Sequence, residues 1–519
     1  MNRCFALIGF VCYFNAVQAQ ITRYNVLDFG AKSDTSIIST DAIQSAIDSC
    51  YKNGGGEVYF PAGGYTSGTI VVKSQVDLSI IEGATLYASR DINDYRMPLN
   101  DATKPVLIYA NGAQNISISG RGEINGRAKH EYKDLKKPDR FIEEITENAE
   151  AAGVEMKRYY AINPNVGLIN IANCKNVSIR DITVRESSFW SVHLVRSSDI
   201  EISAVKVYSS LGSGVNADGL DINSCQRVFI NNCIIETGDD AIVLKSRYTD
   251  PCQDVTITNC TLTSSSTALK IGTESRGDFK DISFENCKIL NSNRGLSIVV
   301  LDGAKVENVR FSNIDIECKR RHFNWWGNAD PIWLYVGKRY DDSTLGEIRN
   351  VTIENVTAKG MGTSKVESAE GVRIHDIRFN NIQLHMQVED YADKRADHAF
   401  YARALNGLTL NNINVSWQLE QTESKWKSAI YLDEINELKL SNTLTRQGLI
   451  DSDVPAIHLV NVTQSTLDNV RFEKGTSIGV LISGNLTKNV SIGKVDDDGF
   501  CVNPIDYQGI NKSSVKENQ

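Results

Sequence analysis

The sequence predicts an all-β fold, a parallel β-helix closed at one end by a short N-terminal helix, and two observations carry that prediction. The first is self-similarity. The phrases "NVSIRDITV", "DIEISAVKV", "RVFINNCII", "DVTITNCTL", "DISFENCKI", "NVRFSNIDI", "NVTIENVTA" and "DIRFNNIQL" each read as an alternating apolar strand, an Asn-containing or polar corner and a second strand. The second is their period. The first apolar positions of six, Val177, Ile200, Val228, Val255, Ile282 and Val309, are separated by 23, 28, 27, 27 and 27 residues. Strands at that period without helices between them make a solenoid. A single coil cannot bury its apolar face; coils stacked about 4.8 Å apart do so continuously.

Taken in order, the chain opens on Met1 to Gln20, which reads as a secretory signal. Arg3 supplies the positive start, "FALIGFVCYF" the apolar run and "VQA" the small-residue cleavage site. Residues 1–19 are therefore expected to be removed, and 20–519 to form one domain in an exported, periplasmic or secreted protein. "STDAIQSAIDSCYKNGGG" is the expected cap. Asp41 followed by Gln44 reads as a capping box, Ala42, Ile43, Ala46 and Ile47 as an apolar stripe, and three glycines as the stop. Residues 127–160 are highly charged and read as a helical excursion. The step from Val309 to Val351 is 42 residues, so a Trp-rich loop at about 317–339 interrupts the ladder. Leu408 and Leu438 extend the coils with looser spacing.

Composition narrows the function. The chain is 41% hydrophobic with a net charge of −9, and no basic cluster suits a nucleic acid. No run is long and apolar enough to predict a membrane span. Most cysteines sit in one repeated context, "NCKN", "NNCI", "TNCT", "ENCK", which predicts a column of small buried thiols rather than a disulfide framework. No spacing suggests a metal site, and no cofactor is expected.

Aligning coils on their apolar positions stacks "NADGLDI" over "GDDAIVL", "STALKI" and "RGLSI". Leu220, Ile242, Leu269 and Leu296 form one inward column; Ile222, Leu244, Ile271 and Ile298 form another. The column Gly219, Ala241, Ala268, Gly295 is expected to face outward as a smooth trough for a sugar ring. Asp218, Asp240, Thr267 and Arg294 flank it on one side, Asp221, Val243, Lys270 and Ser297 on the other. Asp218, Asp239 and Asp240 then converge. Crowded carboxylates raise one pKa while another stays ionised, which is what an acid and base pair requires.

At these residues the sequence resembles glycoside hydrolase family 28, the polygalacturonase family of right-handed β-helices. The likeness runs from "DFGAKSD" and "GGGEVYFPAGGYTSGTI" through "NADGLDI" and "TGDDAIVLKS" to at least Gly371. It rests most on Asn216-x-Asp218 and Gly238-Asp239-Asp240. The resemblance implies inverting hydrolysis of an acidic, pectin-type polysaccharide, with Asp239 as general acid and Asp218 and Asp240 holding the water. Two family motifs are absent: the usual Gly-His-Gly aligns with Ser266-Thr267-Ala268, and the usual Arg-Ile-Lys with Ser297-Ile298-Val299. Lys270 and Arg294, displaced by one rung, are the candidates to replace the lost cations at a substrate anion.

Asn216, Lys270, Arg294, Thr267, Trp326 and His193 complete the expected substrate site. Trp325 and Trp326 offer a stacking face for a pyranose, with burial against the helix as the alternative. His193 is placed either to orient a water or to serve as a satisfied structural histidine. Arg321, His322, Lys338 and Arg339 lie on the same excursion. A hydrolase of a different, non-galacturonan glycan, a β-helix polysaccharide lyase using Ca²⁺, and a non-catalytic glycan-binding β-helix are the competing functions.

Overall fold

The computed structural model describes residues 22–97, 99–133, 143–156, 158–321, 327–450, 452–496 and 499–517. The proposed leader and the Trp325–Trp326 pair lie outside them. Among the described residues, 38 strands join one sheet that winds into a right-handed parallel β-helix.

The register is the one the repeats predict. Val177 pairs with Ile200, Ile200 with Val228, Val228 with Val255, Val255 with Ile282, and Ile282 with Val309. Beyond the long step Val309 meets Val351, and the column continues through Ile377 and Leu408 to Leu438. Each of these side chains is buried, so one unbroken core runs the length of the solenoid.

Asparagines make the corners for two reasons. Asn286, Asn313, Asn355, Asn381 and Asn412 all take φ between 53° and 56°, a left-handed conformation that asparagine tolerates better than most residues. The last four amides also each donate to the one a coil before. Asn313 reaches Asn286 at 3.1 Å, Asn355 reaches Asn313 at 3.0 Å, Asn381 reaches Asn355 at 2.8 Å, and Asn412 reaches Asn381 at 3.1 Å. The thiols follow the same logic. Cys233, Cys260 and Cys287 lie buried in successive coils, and the nine described cysteines are all free.

The N-terminal helix α1 (Thr40–Lys52) buries Ile43, Ala46, Ile47 and Cys50 against the first coils. Its boundary corrects the expected capping box: Ser39 is the N-cap and Asp41 lies inside the helix. Gln44 has another task. Its amide accepts from Val71 N at 2.8 Å and donates to Val71 O at 3.1 Å, satisfying backbone groups of the edge strand Ile70–Val71. The excursion at 127–160 contains helix α2 (Glu143–Ala151), but its base is an antiparallel pair, His130–Lys133 with Arg158–Ala161. No helix among the described residues is long and apolar enough to cross a membrane.

Phe284 and Phe311 stack at 4.6 Å in the core, one coil apart, and neither is exposed. Phe311→Ala should lower stability in urea by about 3–5 kcal/mol, the usual cost of an aromatic-sized cavity. A loss below about 1 kcal/mol would mean that the coils collapse around the gap, contrary to a register fixed on both sides.

Candidate active site

Four strands build the site: Leu220–Asn223, Ile242–Ser246, Thr267–Ser275 and Arg294–Val300. Leu220, Ile242, Leu269 and Leu296 stack inward, as do Ile222, Leu244, Ile271 and Ile298. Alternation then turns Asp221, Val243, Lys270 and Ser297 to the other face. Just before the strands, Gly219 N donates to Asp240 O at 2.9 Å, which sets Asp218 one rung from Asp240.

The expected trough is not there. Ala241 and Ala268 are fully buried in the core. A Cβ at Gly219 would lie 2.6 Å from Ile235 Cγ2, and one at Gly295 2.9 Å from Ile316 Cγ2. Gly219 and Ala241 lie in the corner before their strands, where alternation does not extend, and Ala268 and Gly295, the second residues of their strands, follow the same column inward. Their smallness admits core side chains, not sugar.

The three predicted acids do come together, each nearly buried. Asp239 Oδ2 accepts from Asn216 N at 3.0 Å, and its Oδ1 from Asp240 N at 3.0 Å. Asn216 has φ 55°, so its role here is to aim a backbone N–H while its side chain stays exposed. Asp240 accepts from Ser266 Oγ at 2.8 Å, Thr267 N at 3.2 Å and Lys270 Nζ at 2.7 Å. Asp218 accepts from Lys245 Nζ at 3.0 Å, and the same ammonium lies 2.6 Å from Asp221.

Charge counting explains the electrostatics. Four buried carboxyls, Asp218, Asp221, Asp239 and Asp240, face two ammonium groups, Lys245 and Lys270. Burial penalises each uncompensated charge, so the cluster retains protons. Burial first, then the charges of Asp218 and Asp240, pushes Asp239 well above the usual carboxyl range. Burial also pushes Asp221 well up, against the pull of Lys245, and raises Asp218 as well. Lys245 is driven down by burial but held charged by Asp218 and Asp221, which win. The arrangement therefore favours a protonated Asp239 beside lysine-paired Asp218 and Asp240. Asp218 Oδ1 and Thr267 Oγ1 are buried without a hydrogen-bond partner among the described residues, two polar atoms suited to a water or a sugar hydroxyl.

The remaining predicted residues divide. Lys270 was expected to read a substrate anion; instead its ammonium is held by Asp240. Arg294 was expected likewise; it pairs with Asp330 at 2.5 Å and lies over the Trp333 ring at 4.1 Å. His193 is the structural histidine. Its ring nitrogens meet the Asn170 and Asn223 amides at 2.9 and 3.3 Å, and burial and then Lys245 and Arg247 push its pKa down to about 3. Trp326 and His322 fall outside the described residues, whereas Arg339 pairs with Asp302. Sequence reasoning missed Lys245 as a site residue. It lies two residues beyond Val243 on the same outward face, a placement that alternation along "IVLKS" already contained.

Among known proteins, the model of "Glycosyl hydrolases family 28" matches residues 50–386. An exo-poly-alpha-D-galacturonosidase from Dickeya chrysanthemi is 25% identical over 251 residues, which cover 42% of this chain and 41% of that relative. The chain thus spans well under two thirds of that relative's length. Two solved structures share the fold. The exopolygalacturonase of Yersinia enterocolitica aligns with a TM-score of 0.62 at 20% identity, covering 81% of this chain and 79% of its own. That of Thermotoga maritima aligns with a TM-score of 0.57 at 24% identity, covering 71% and 88%.

Lys245→Met leaves two buried carboxyls without their cation, and its expected cost is about 3–5 kcal/mol in urea unfolding. Adding Asp221→Asn removes one of those charges and should recover part of that loss; no recovery would show that Asp221 and Lys245 are not energetically paired. Lys270→Met, by contrast, should slow turnover of charged and charge-neutralised substrates by the same factor. A loss confined to the charged substrate would return Lys270 to the role of anion reader.

Proposed function

The chain belongs to glycosyl hydrolases family 28, and from that premise we propose that it hydrolyses α-glycosidic bonds in an acidic, pectin-type polysaccharide, galacturonan or rhamnogalacturonan-like, by single-displacement inverting hydrolysis. The observation that carries this reading is the division of the carboxyl cluster: Asp239 driven toward its protonated form, Asp218 and Asp240 each beside an ammonium.

In this mechanism Asp239 gives its proton to the leaving glycosidic oxygen as the bond from that oxygen to the anomeric carbon breaks. A water held by Asp218 and Asp240 forms the new bond from the opposite face and passes its proton to that carboxylate pair. Inverting enzymes separate acid and base by ~6.5–9.5 Å to admit the water. Lys245 and Lys270 serve by setting an ammonium against each member of the pair, 3.0 Å from Asp218 and 2.7 Å from Asp240. We further propose release of short products from a chain end. Arg395 supports this by tying the 127–160 and 317–339 excursions together, through Met156 Sδ at 3.9 Å and Asn328 Oδ1 at 2.7 Å, while Asp393 on its own segment holds its guanidinium. We also propose that the protein is exported, a reading supported by the leader-like pattern of residues 1–19.

Asp239→Asn should lower turnover at least ~10²-fold, the usual worth of a positioned general acid, with thermal stability nearly unchanged; near-normal rates on the true substrate would remove Asp239 from the role. Proton NMR of the first product should show the inverted anomer, and a retained anomer would contradict the mechanism. The pH dependence has a definite sign. Because the Asp239 pKa is raised, the acid stays protonated where ordinary carboxyls are ionised, and activity should fall as pH rises through that raised value. The acid limb belongs to protonation of Asp218, whose pKa burial also raises. A profile flat through weakly acidic and neutral pH would contradict the assignment.

A further inference from the structure

With Lys270 and Arg294 both engaged by carboxylates of the chain, the group that reads the substrate's acidity has to be sought elsewhere on this face. A cavity of about 410 Å³ lies beside the site, lined by Arg247, Glu274, Arg276, Asp302, Arg339 and Tyr340 among others. Two contacts tie it to the carboxyl cluster. Glu274 lies on the strand Thr267–Ser275 that carries Lys270. Arg247 shares the Trp190 ring with Lys245, their cationic centres 5.5 and 3.9 Å from its centroid.

The charges in this cavity are not balanced by one another. Arg339 is used up: it holds Asp302 through two bonds of 2.7 and 2.9 Å and donates to Thr273 O at 2.7 Å. That leaves Arg247, Arg276 and Glu274. The Arg247 backbone is fixed by a bond from its N–H to Asn223 Oδ1 at 3.1 Å, but its guanidinium, like that of Arg276, has no carboxylate partner among the described residues. The Glu274 carboxylate takes no bond from another side chain among them either. It is nonetheless ionised: burial pushes it up, but Lys245 and Lys270 outweigh burial and hold it at about 2. Two guanidinium groups without carboxylate partners and one carboxylate without a side-chain donor, among the described residues, therefore border one cavity. Arg247 and Glu274 are half-buried, so for them a missing partner is costly unless a ligand completes it, whereas Arg276 is exposed and stands at the cavity's solvent side. The ligand that completes both kinds carries an anionic group with hydroxyl donors beside it, which describes a uronic acid residue or a sulfated hexose.

We propose that this cavity is a substrate subsite for an acidic sugar residue, with Arg247 and Arg276 taking its anionic group and Glu274 accepting from its hydroxyls. The proposal rests on the hydrolase reading for its connection to turnover, but not for binding. Planar guanidinium groups suit a carboxylate or sulfate better than an ammonium does, because two parallel N–H donors meet two oxygens.

The test is calorimetric titration of the Asp239→Asn chain with tri-galacturonate, with its carboxyl-reduced counterpart and with galactose 6-sulfate. Tri-galacturonate or the sulfated sugar should bind about 10-fold or more tightly than the reduced sugar, the worth of a charge-assisted contact, and the tighter of the two names the anion. Adding Arg247→Gln and Arg276→Gln should erase that preference while the thermal midpoint stays unchanged. Glu274→Gln should weaken the acidic and reduced sugars alike. Equal binding of acidic and reduced sugars, binding of none of them, or a preference that survives the double arginine change would each overturn the proposal. Failure of the hydrolase reading is separate: it would show as no turnover of any galacturonan by the unsubstituted chain while the titration still distinguishes acidic from neutral sugar.

Discussion

Every feature of the site depends on the backbone ladder that sets Leu220 on Ile242 and Ile242 on Leu269. Parallel strands in register repeat each side-chain position at the inter-strand spacing of about 4.8 Å. A slip of one residue would turn the inward columns out and the carboxyls in. The core therefore enforces the register, and the register enforces the chemistry. Asp218 and Asp240 face one another across adjacent coils because Leu220 and Ile242 do. The asparagine corners protect that register at the turns, where left-handed backbone and stacked amides repeat coil after coil.

Crowding is the second constraint. Four carboxyls with two lysines cannot all ionise in a buried cluster, and burial raises Asp218, Asp221 and Asp239 even where a lysine lies close. Lys245 spans Asp218 and Asp221, and Lys270 holds Asp240. Asp239 has backbone N–H groups but no ammonium partner, so it is a carboxyl that the cluster protonates. The same two lysines keep Glu274 ionised at the edge of the neighbouring cavity. One pair of ammonium groups thus lies against both proposed base carboxyls and holds the proposed sugar-hydroxyl acceptor ionised.

Much of this was legible in the sequence, for a physical reason. Period and alternation are properties of the chain, so the pairing of Val177 through Leu438 and the convergence of Asp218, Asp239 and Asp240 could be read directly. Corners and partners could not. Gly219 and Ala241 looked outward because alternation was extended across a corner where it does not hold. Lys270 looked free because its column neighbours are Val243 and Ser297; its actual partner, Asp240, lies in the adjoining column. Arg247 and Arg339 come from different coils, and only the folded solenoid brings them to one cavity.

The central claim is that the cluster keeps Asp239 protonated while Asp218 and Asp240 stand paired with lysine. It is tested most directly by carboxyl ¹³C NMR titration of aspartate-labelled protein, with the Asp239 resonance identified by its disappearance in Asp239→Asn. The account predicts that this resonance titrates well above the ordinary aspartate value of about 3.9. A midpoint at or below that value would mean that Asp239 is ionised at working pH, and the division between acid and base drawn here would be wrong.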